Sequence, residues 1–200
     1  PDGQYRHVVA YLAETAGLQH VEMPYKLPLI PAEHTLESPS IRRIAIHPGS
    51  GGTQKCWPAS SFATLIEQLC QQNYPILLLA GPADHERIHE LQLLLTHASQ
   101  MSQLSQSLPT SRSNMITTLI EAPLLHIAQL LQQCRCYIGN DSGITHLSSM
   151  LGIPTIALFG PTDPTIWRPV GPGVTVIQEQ DLKDIAVETV LKSVLLQHVS

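Results

Sequence analysis

The sequence predicts an α/β protein built on a Rossmann-like, doubly wound parallel sheet, and three observations predict it. Short apolar runs such as Ile76-Leu77-Leu78-Leu79-Ala80 recur without polar alternation, as strands covered on both faces do. Helical patterns of about 9–17 residues separate these runs. Polar, glycine-bearing turns follow the runs at 47–58, 81–84, 139–143 and 159–164, where a parallel sheet of this kind presents its ligand-facing loops.

In chain order, residues 5–17 read as a short amphipathic helix, with Val8, Val9, Leu12 and Ala16 at helical spacing and Gly17 as its C-cap. Pro24, Pro28, Pro31 and Pro39 make 22–40 a linker. The expected organisation is therefore a helix and Pro-rich linker over 1–40 and a folded domain over 41–200. Strands are expected at 42–46, 75–80, 115–118, 135–138, 154–159 and 174–177. Helices are expected at 59–72, 84–98, 123–133, 143–151 and 181–197. Pro58, Asp84, Pro123 and Asp181 mark first turns, and Gly152 closes the fourth of these helices. The Ser- and Gln-rich stretch 99–114 reads as a surface connection.

Composition narrows the function classes. The 200 residues are 43% apolar and 14% charged, which supports a substantial core and argues against disorder. A net charge of −5 with 11 dispersed Lys and Arg speaks against nucleic acid as a partner, since phosphate-tracking surfaces cluster their cations. Cys56, Cys70, Cys134 and Cys136 fit free thiols in a reducing compartment rather than a disulfide framework. Cys134 and Cys136 straddle a strand start and are expected on opposite sides, which disfavours a shared metal. No apolar run approaches the ~20 residues of a membrane span, and signal-peptide character is missing. The chain begins at Pro1 rather than Met and reads as part of something longer.

The strand-end turns carry the chemistry. His47-Pro48-Gly49-Ser50-Gly51-Gly52-Thr53-Gln54-Lys55 combines backbone that a ligand can approach closely with a cation on the same loop. Its spacing does not match the Walker pattern. Asn140-Asp141-Ser142-Gly143 opens a helix whose first N–H groups suit an anion, with His146 one turn in. Asp141 as a plain helix cap is the structural alternative. Phe159-Gly160-Pro161-Thr162 is a tight turn with a hydroxyl at its tip. His85-Glu86-Arg87-Ile88-His89 satisfies H-E-x-x-H, the pattern of a zinc hydrolase, but no third ligand follows it. His126, within an apolar helix, reads as packed or surface-lying. A phosphorylated ligand shared by several turns explains these features best.

Together, Lys55-x-Trp57-Pro58, Gly81-x-x-x-x-Glu86, Asp141-Ser142-Gly143-x-x-His146 and Phe159-Gly160-Pro161-Thr162 resemble glycosyltransferase family 9, which includes the ADP-heptose:lipopolysaccharide heptosyltransferases. The resemblance covers about residues 42–178, and the helix at 5–17 is similar to the segment joining that family's two domains. It implies a GT-B fold of which this chain is the C-terminal, donor-binding half. Ser50, Gly51 and Lys55 would then hold the diphosphate, Glu86 the ribose, and the backbone near Ala122 the adenine. Ser142 and Gly143 would offer N–H groups to phosphate, with Asp141 and His146 facing the sugar or its phosphate. Two departures leave alternatives open, Ser50 or Gly51 for the phosphate and His85 or Glu86 for the ribose.

The implied reaction is inverting transfer of heptose or a related sugar from an ADP-sugar to a lipopolysaccharide-core acceptor, without metal or cofactor. Lys55 would stabilise the departing diphosphate, and the general base would lie on an N-terminal acceptor domain absent from this chain. The resemblance implies a cytoplasmic setting and allows peripheral contact with the inner face of the bacterial inner membrane. A nucleotide or nucleotide-sugar binding module without transferase activity is the alternative.

Overall fold

The protein is described by a computed structural model covering residues 7–17, 26–28, 42–105 and 115–197. Six strands make one sheet: β1 (Ile44–His47), β2 (Ile76–Ala80), β3 (Ile116–Ile120), β4 (Cys136–Asn140), β5 (Thr155–Phe159) and β6 (Val174–Gln178). Their order is β3-β2-β1-β4-β5-β6, with every pairing parallel. The four inner strands are buried along their whole length, and the edge strands β3 and β6 only in part. Continuous apolar runs are required only where helices cover both faces, which is why the inner strands gave the stronger sequence signal.

The helices are α1 (Val8–Thr15), α2 (Ala59–Gln71), α3 (His85–Ser105), α4 (Leu124–Leu131), α5 (Gly143–Met150), α6 (Pro164–Trp167) and α7 (Val187–Leu196). In α2, Phe62, Leu65, Ile66 and Leu69 recur at helical spacing and meet Ile44, Ile46, Ile76 and Leu78 of the sheet. Leu91 of α3 and Val190 and Val194 of α7 complete that face. On the other face, Leu130 and Leu131 of α4, joined by Ile144 and Leu147 of α5, pack against Ala45, Leu77, Leu79 and Tyr137. Each large side chain so buried contributes about 1.5–3 kcal/mol relative to exposure.

Several boundaries differ from expectation, each for a local reason. α3 continues to Ser105, so the expected surface connection over 99–114 is helical in its first part; residues 106–114 lie outside the described residues. Asp84 does not cap α3. It closes a 3-10 turn over Pro82–Asp84, and its buried carboxylate accepts from the Gly81 N–H at 2.7 Å. Asp181 caps a 3-10 turn at Leu182–Asp184, and α7 begins only at Val187. Ile185 between them is extended, and its carbonyl accepts from Trp57 Nε1 at 3.0 Å instead of serving a helix.

The turn after β5 contains the one-turn helix α6, capped by Asp163. Cys134 and Cys136 do enter opposite cores. The reason is that Cys134 precedes β4, because two residues apart within a strand would share a face. Of the expected linker, only 26–28 is described. Among the described residues, no helix is long and apolar enough to cross a membrane.

Candidate functional site

The strand order reverses between β1 and β4, the place where an open α/β sheet forms a crevice beyond its strand ends. His47 of β1 lies in register with Gly139 of β4, so the two strand-end loops emerge side by side. Asn140, fully buried, ties them together. Its Oδ1 accepts from the Trp57 N–H at 2.9 Å, and its Nδ2 donates to the carbonyls of Pro48 at 2.8 Å and Gly49 at 3.3 Å. One side chain thus pins both ends of the 48–57 loop.

Within that frame the structure brings together six of the residues expected at the site. Ser50 Oγ donates to the Asp141 carbonyl at 2.7 Å. Lys55 Nζ lies 3.1 Å from Asp141 Oδ2, with its side chain 40% exposed and that of Asp141 9% exposed. His146 Nε2 lies 3.9 Å from the other carboxylate oxygen. Burial holds the His146 imidazole below its ordinary pKa; Asp141 opposes this and His7 adds to it.

Ser142 and Gly143 form the start of α5, with Ser142 itself as N-cap. The alternative that Asp141 caps this helix does not hold, because its carboxylate is given to Lys55. Ser142 makes no side-chain capping bond. Its hydroxyl lies 3.4 Å from His47 Nδ1 and 3.0 Å from Thr145 Oγ1. The first turn of α5 keeps its N–H groups free of a side-chain cap, an arrangement suited to an anion.

Beneath this surface lies a polar layer that sequence reasoning passes over. His47 Nε2 meets Asp84 Oδ2 at 3.0 Å, both residues being buried. Burial alone would raise the Asp84 pKa. Hydrogen bonds from His47 and Gly81, with the charges of His47 and Arg87, outweigh burial and hold it below the ordinary value. Thr145 Oγ1 donates to the Asn140 carbonyl at 2.5 Å and lies 3.0 Å from the Tyr137 hydroxyl. The signal in the sequence was slight: His47 and Asn140 are polar residues closing strands that are otherwise almost wholly apolar.

Other expected residues stay outside the hydrogen-bonded cluster. Gly51 is exposed, and a Cβ there would meet nothing within 4 Å. Glu86 is exposed on the first turn of α3, and Ala122 is half-buried after β3. His85 Nε2 pairs with Glu121 Oε1 at 2.6 Å. No group of three ligand-type side chains gathers among the described residues, so His85 and His89 acquire no third zinc ligand there. Thr162 Oγ1 is buried without a hydrogen-bond partner.

The model of glycosyltransferase family 9 (heptosyltransferase) matches residues 8–194. The chain belongs to glycosyltransferase family 9. Family 9 relatives include the lipopolysaccharide heptosyltransferase 2 of Salmonella typhimurium, 29% identical over 136 residues. The lipooligosaccharide heptosyltransferase 2 of Haemophilus influenzae is 31% identical over 137 residues. Each alignment takes in 68% of this chain and 36% of the relative, so the chain spans about a third of the length of these curated relatives. The solved structure of Escherichia coli ADP-heptose LPS heptosyltransferase II superposes with a TM-score of 0.66 at 27% identity, covering 87% of this chain and 57% of that one. A family 9 glycosyltransferase structure from Veillonella parvula shares the fold, with a TM-score of 0.73 at 20% identity over 98% of this chain and 61% of its own.

Proposed function

We propose that this chain is the donor-binding half of a heptosyltransferase, seating an ADP-sugar at the β1/β4 crevice for inverting transfer to a lipopolysaccharide-core acceptor. The observation that carries this reading is the convergence of the Lys55 ammonium, Ser50 and the uncapped start of α5 on one crevice of a family 9 chain. The sugar and nucleotide follow the E. coli neighbour, an ADP-heptose enzyme.

As the acceptor hydroxyl attacks the anomeric carbon, the departing diphosphate gains negative charge. A fixed cation and N–H groups that strengthen toward that charge lower the barrier. Asp141 holds the Lys55 ammonium at the mouth, and its remaining donors reach solvent. Gly51 on the β1 loop, Glu86 on the first turn of α3 and Ala122 after β3 would be the contacts for phosphate, ribose and base. The acceptor and the general base would lie on an N-terminal domain beyond residues 41–200. A lipid-anchored acceptor would bring the full protein to a membrane surface.

Titration calorimetry with ADP tests the donor half directly. Lys55→Ala is expected to weaken ADP by about tenfold to a hundredfold, since a hydrogen bond to a charged group is worth about 1.5–3 kcal/mol. Unchanged affinity in that variant would remove Lys55 from the diphosphate site. Release of ADP from ADP-heptose by the full-length protein, dependent on a lipopolysaccharide-core acceptor, tests the transfer itself.

A further inference from the structure

Asn140 is fully buried at the end of β4, and its amide is directed at the 48–57 loop rather than at its own strand. The amide nitrogen serves the leg that leaves β1, at Pro48 and Gly49. The amide oxygen serves the leg that returns toward α2, at Trp57. Few side chains could do both. A carboxylate of the same shape has no proton to donate when ionised, and a serine hydroxyl carries one proton on a shorter arm.

The same residue reaches the other wall of the crevice through its backbone. Its carbonyl accepts from Thr145 Oγ1, which lies 3.0 Å from the hydroxyl of Ser142, the N-cap residue of α5. The next residue, Asp141, receives Ser50 through its carbonyl and Lys55 through its carboxylate. The spacing between the Lys55 ammonium and the first N–H groups of α5 is therefore set at two consecutive residues, Asn140 and Asp141.

Neighbouring contacts hold the loop to the fold but do not replace this link. Trp57 is also anchored by its ring Nε1 on the Ile185 carbonyl and by Arg87 on its own carbonyl, at 3.0 Å each. The Pro48–Gly49 leg has no such second anchor in Asp84, because a Cβ at Gly49 would overlap that carboxylate and the contact is steric. Pro48 and Gly49 are both buried. Carbonyls left there without the Asn140 donor would draw the leg toward water or another donor.

We propose that Asn140 is a positioning residue for donor binding, fixing the Lys55 loop against the start of α5 so that both meet one nucleoside diphosphate. The inference rests on the donor-site reading above. Asn140 touches no ligand and acts through Lys55, whose ammonium is misplaced when the legs of its loop shift. A displacement of about 1 Å is enough to weaken a positioned contact by up to about a hundredfold.

A double-mutant cycle on ADP affinity tests this, with Asn140→Ser and Lys55→Ala made singly and together. Asn140→Ser is expected to weaken ADP by about tenfold or more when Lys55 is present and by less than about threefold when Lys55 is already alanine. General loosening of the fold would instead give the same loss in both backgrounds. Equal losses, or no loss with Lys55 present, overturn the role of Asn140 and leave the donor site standing. Amide hydrogen exchange in the unaltered, ligand-free chain decides the matter if Asn140→Ser does not fold. The Trp57 N–H is expected to exchange more than about tenfold more slowly than the N–H groups of Gly51 and Gly52 at the exposed loop tip. A smaller ratio shows a leg that Asn140 does not hold, and overturns the proposal. Failure of both ADP and pyrophosphate to bind the unaltered chain overturns the donor-site reading as well.

Discussion

At the scale of single residues, Gly49 and Gly51 lie two positions apart in one loop under different constraints. A side chain at Gly49 would overlap the Asp84 carboxylate, whereas one at Gly51 meets open space. Gly49→Ala is expected to destabilise the fold by about 1–3 kcal/mol, as overpacking does. Gly51→Ala is expected to stay within about 0.5 kcal/mol. Urea unfolding of the two variants measures the contrast. Asp84 adds a pH signature. Its folded pKa lies below the ordinary carboxylate value, so its stabilisation is present above that value and is lost as pH falls through the lower folded one. Asp84→Asn is expected to be less stable near neutrality and to show a flatter acid limb below about pH 4 in thermal melts. The sequence made Asp84 visible only as a polar residue before a helix. The residues that make it a buried partner, His47 and Gly49, lie more than thirty positions away.

At the scale of elements, the strands were the most legible, because a run such as Thr155–Phe159 has few other ways to bury both faces. Helix ends were legible where the cap is local, as at Pro58 and Pro123. They were misread where tertiary demands prevailed, as at Ile185, whose carbonyl goes to Trp57 Nε1. The turns expected to converge could be read, but the packing of one element on another could not. Gly171 shows why, since a Cβ there would overlap the backbone carbonyl of Ser149 near the end of α5. Backbone cannot rotate away as a flexible side chain can. Gly171→Ala is expected to cost about 1–3 kcal/mol or more, read as a lower urea midpoint. A midpoint equal to that of the unaltered chain would show that α5 shifts freely.

For the whole molecule, ligand linkage gives the broadest check on the proposed site. ADP at a hundredfold excess over its Kd is expected to add about 2.7 kcal/mol of stability. At about 2–4 °C per kcal/mol for a chain of this size, the melting temperature would rise by roughly 5–10 °C. No rise at saturating ADP would count against binding by the native fold. The sequence by itself determined the fold class, the six strands, the membership of family 9 and the loops on which Lys55, Asp141, Ser142 and His146 lie. Those features depend on local periodicity and on short motifs, which are written within a few consecutive residues. Only the tertiary structure decided that Lys55 pairs with Asp141, that Ser142 rather than Asp141 takes the N-cap position of α5 without a capping bond from its side chain, and that His47 and Asp84 pair beneath the crevice. Those outcomes depend on strand order, which sets β1 beside both β2 and β4 and so joins residues 37, 86 and 95 positions apart.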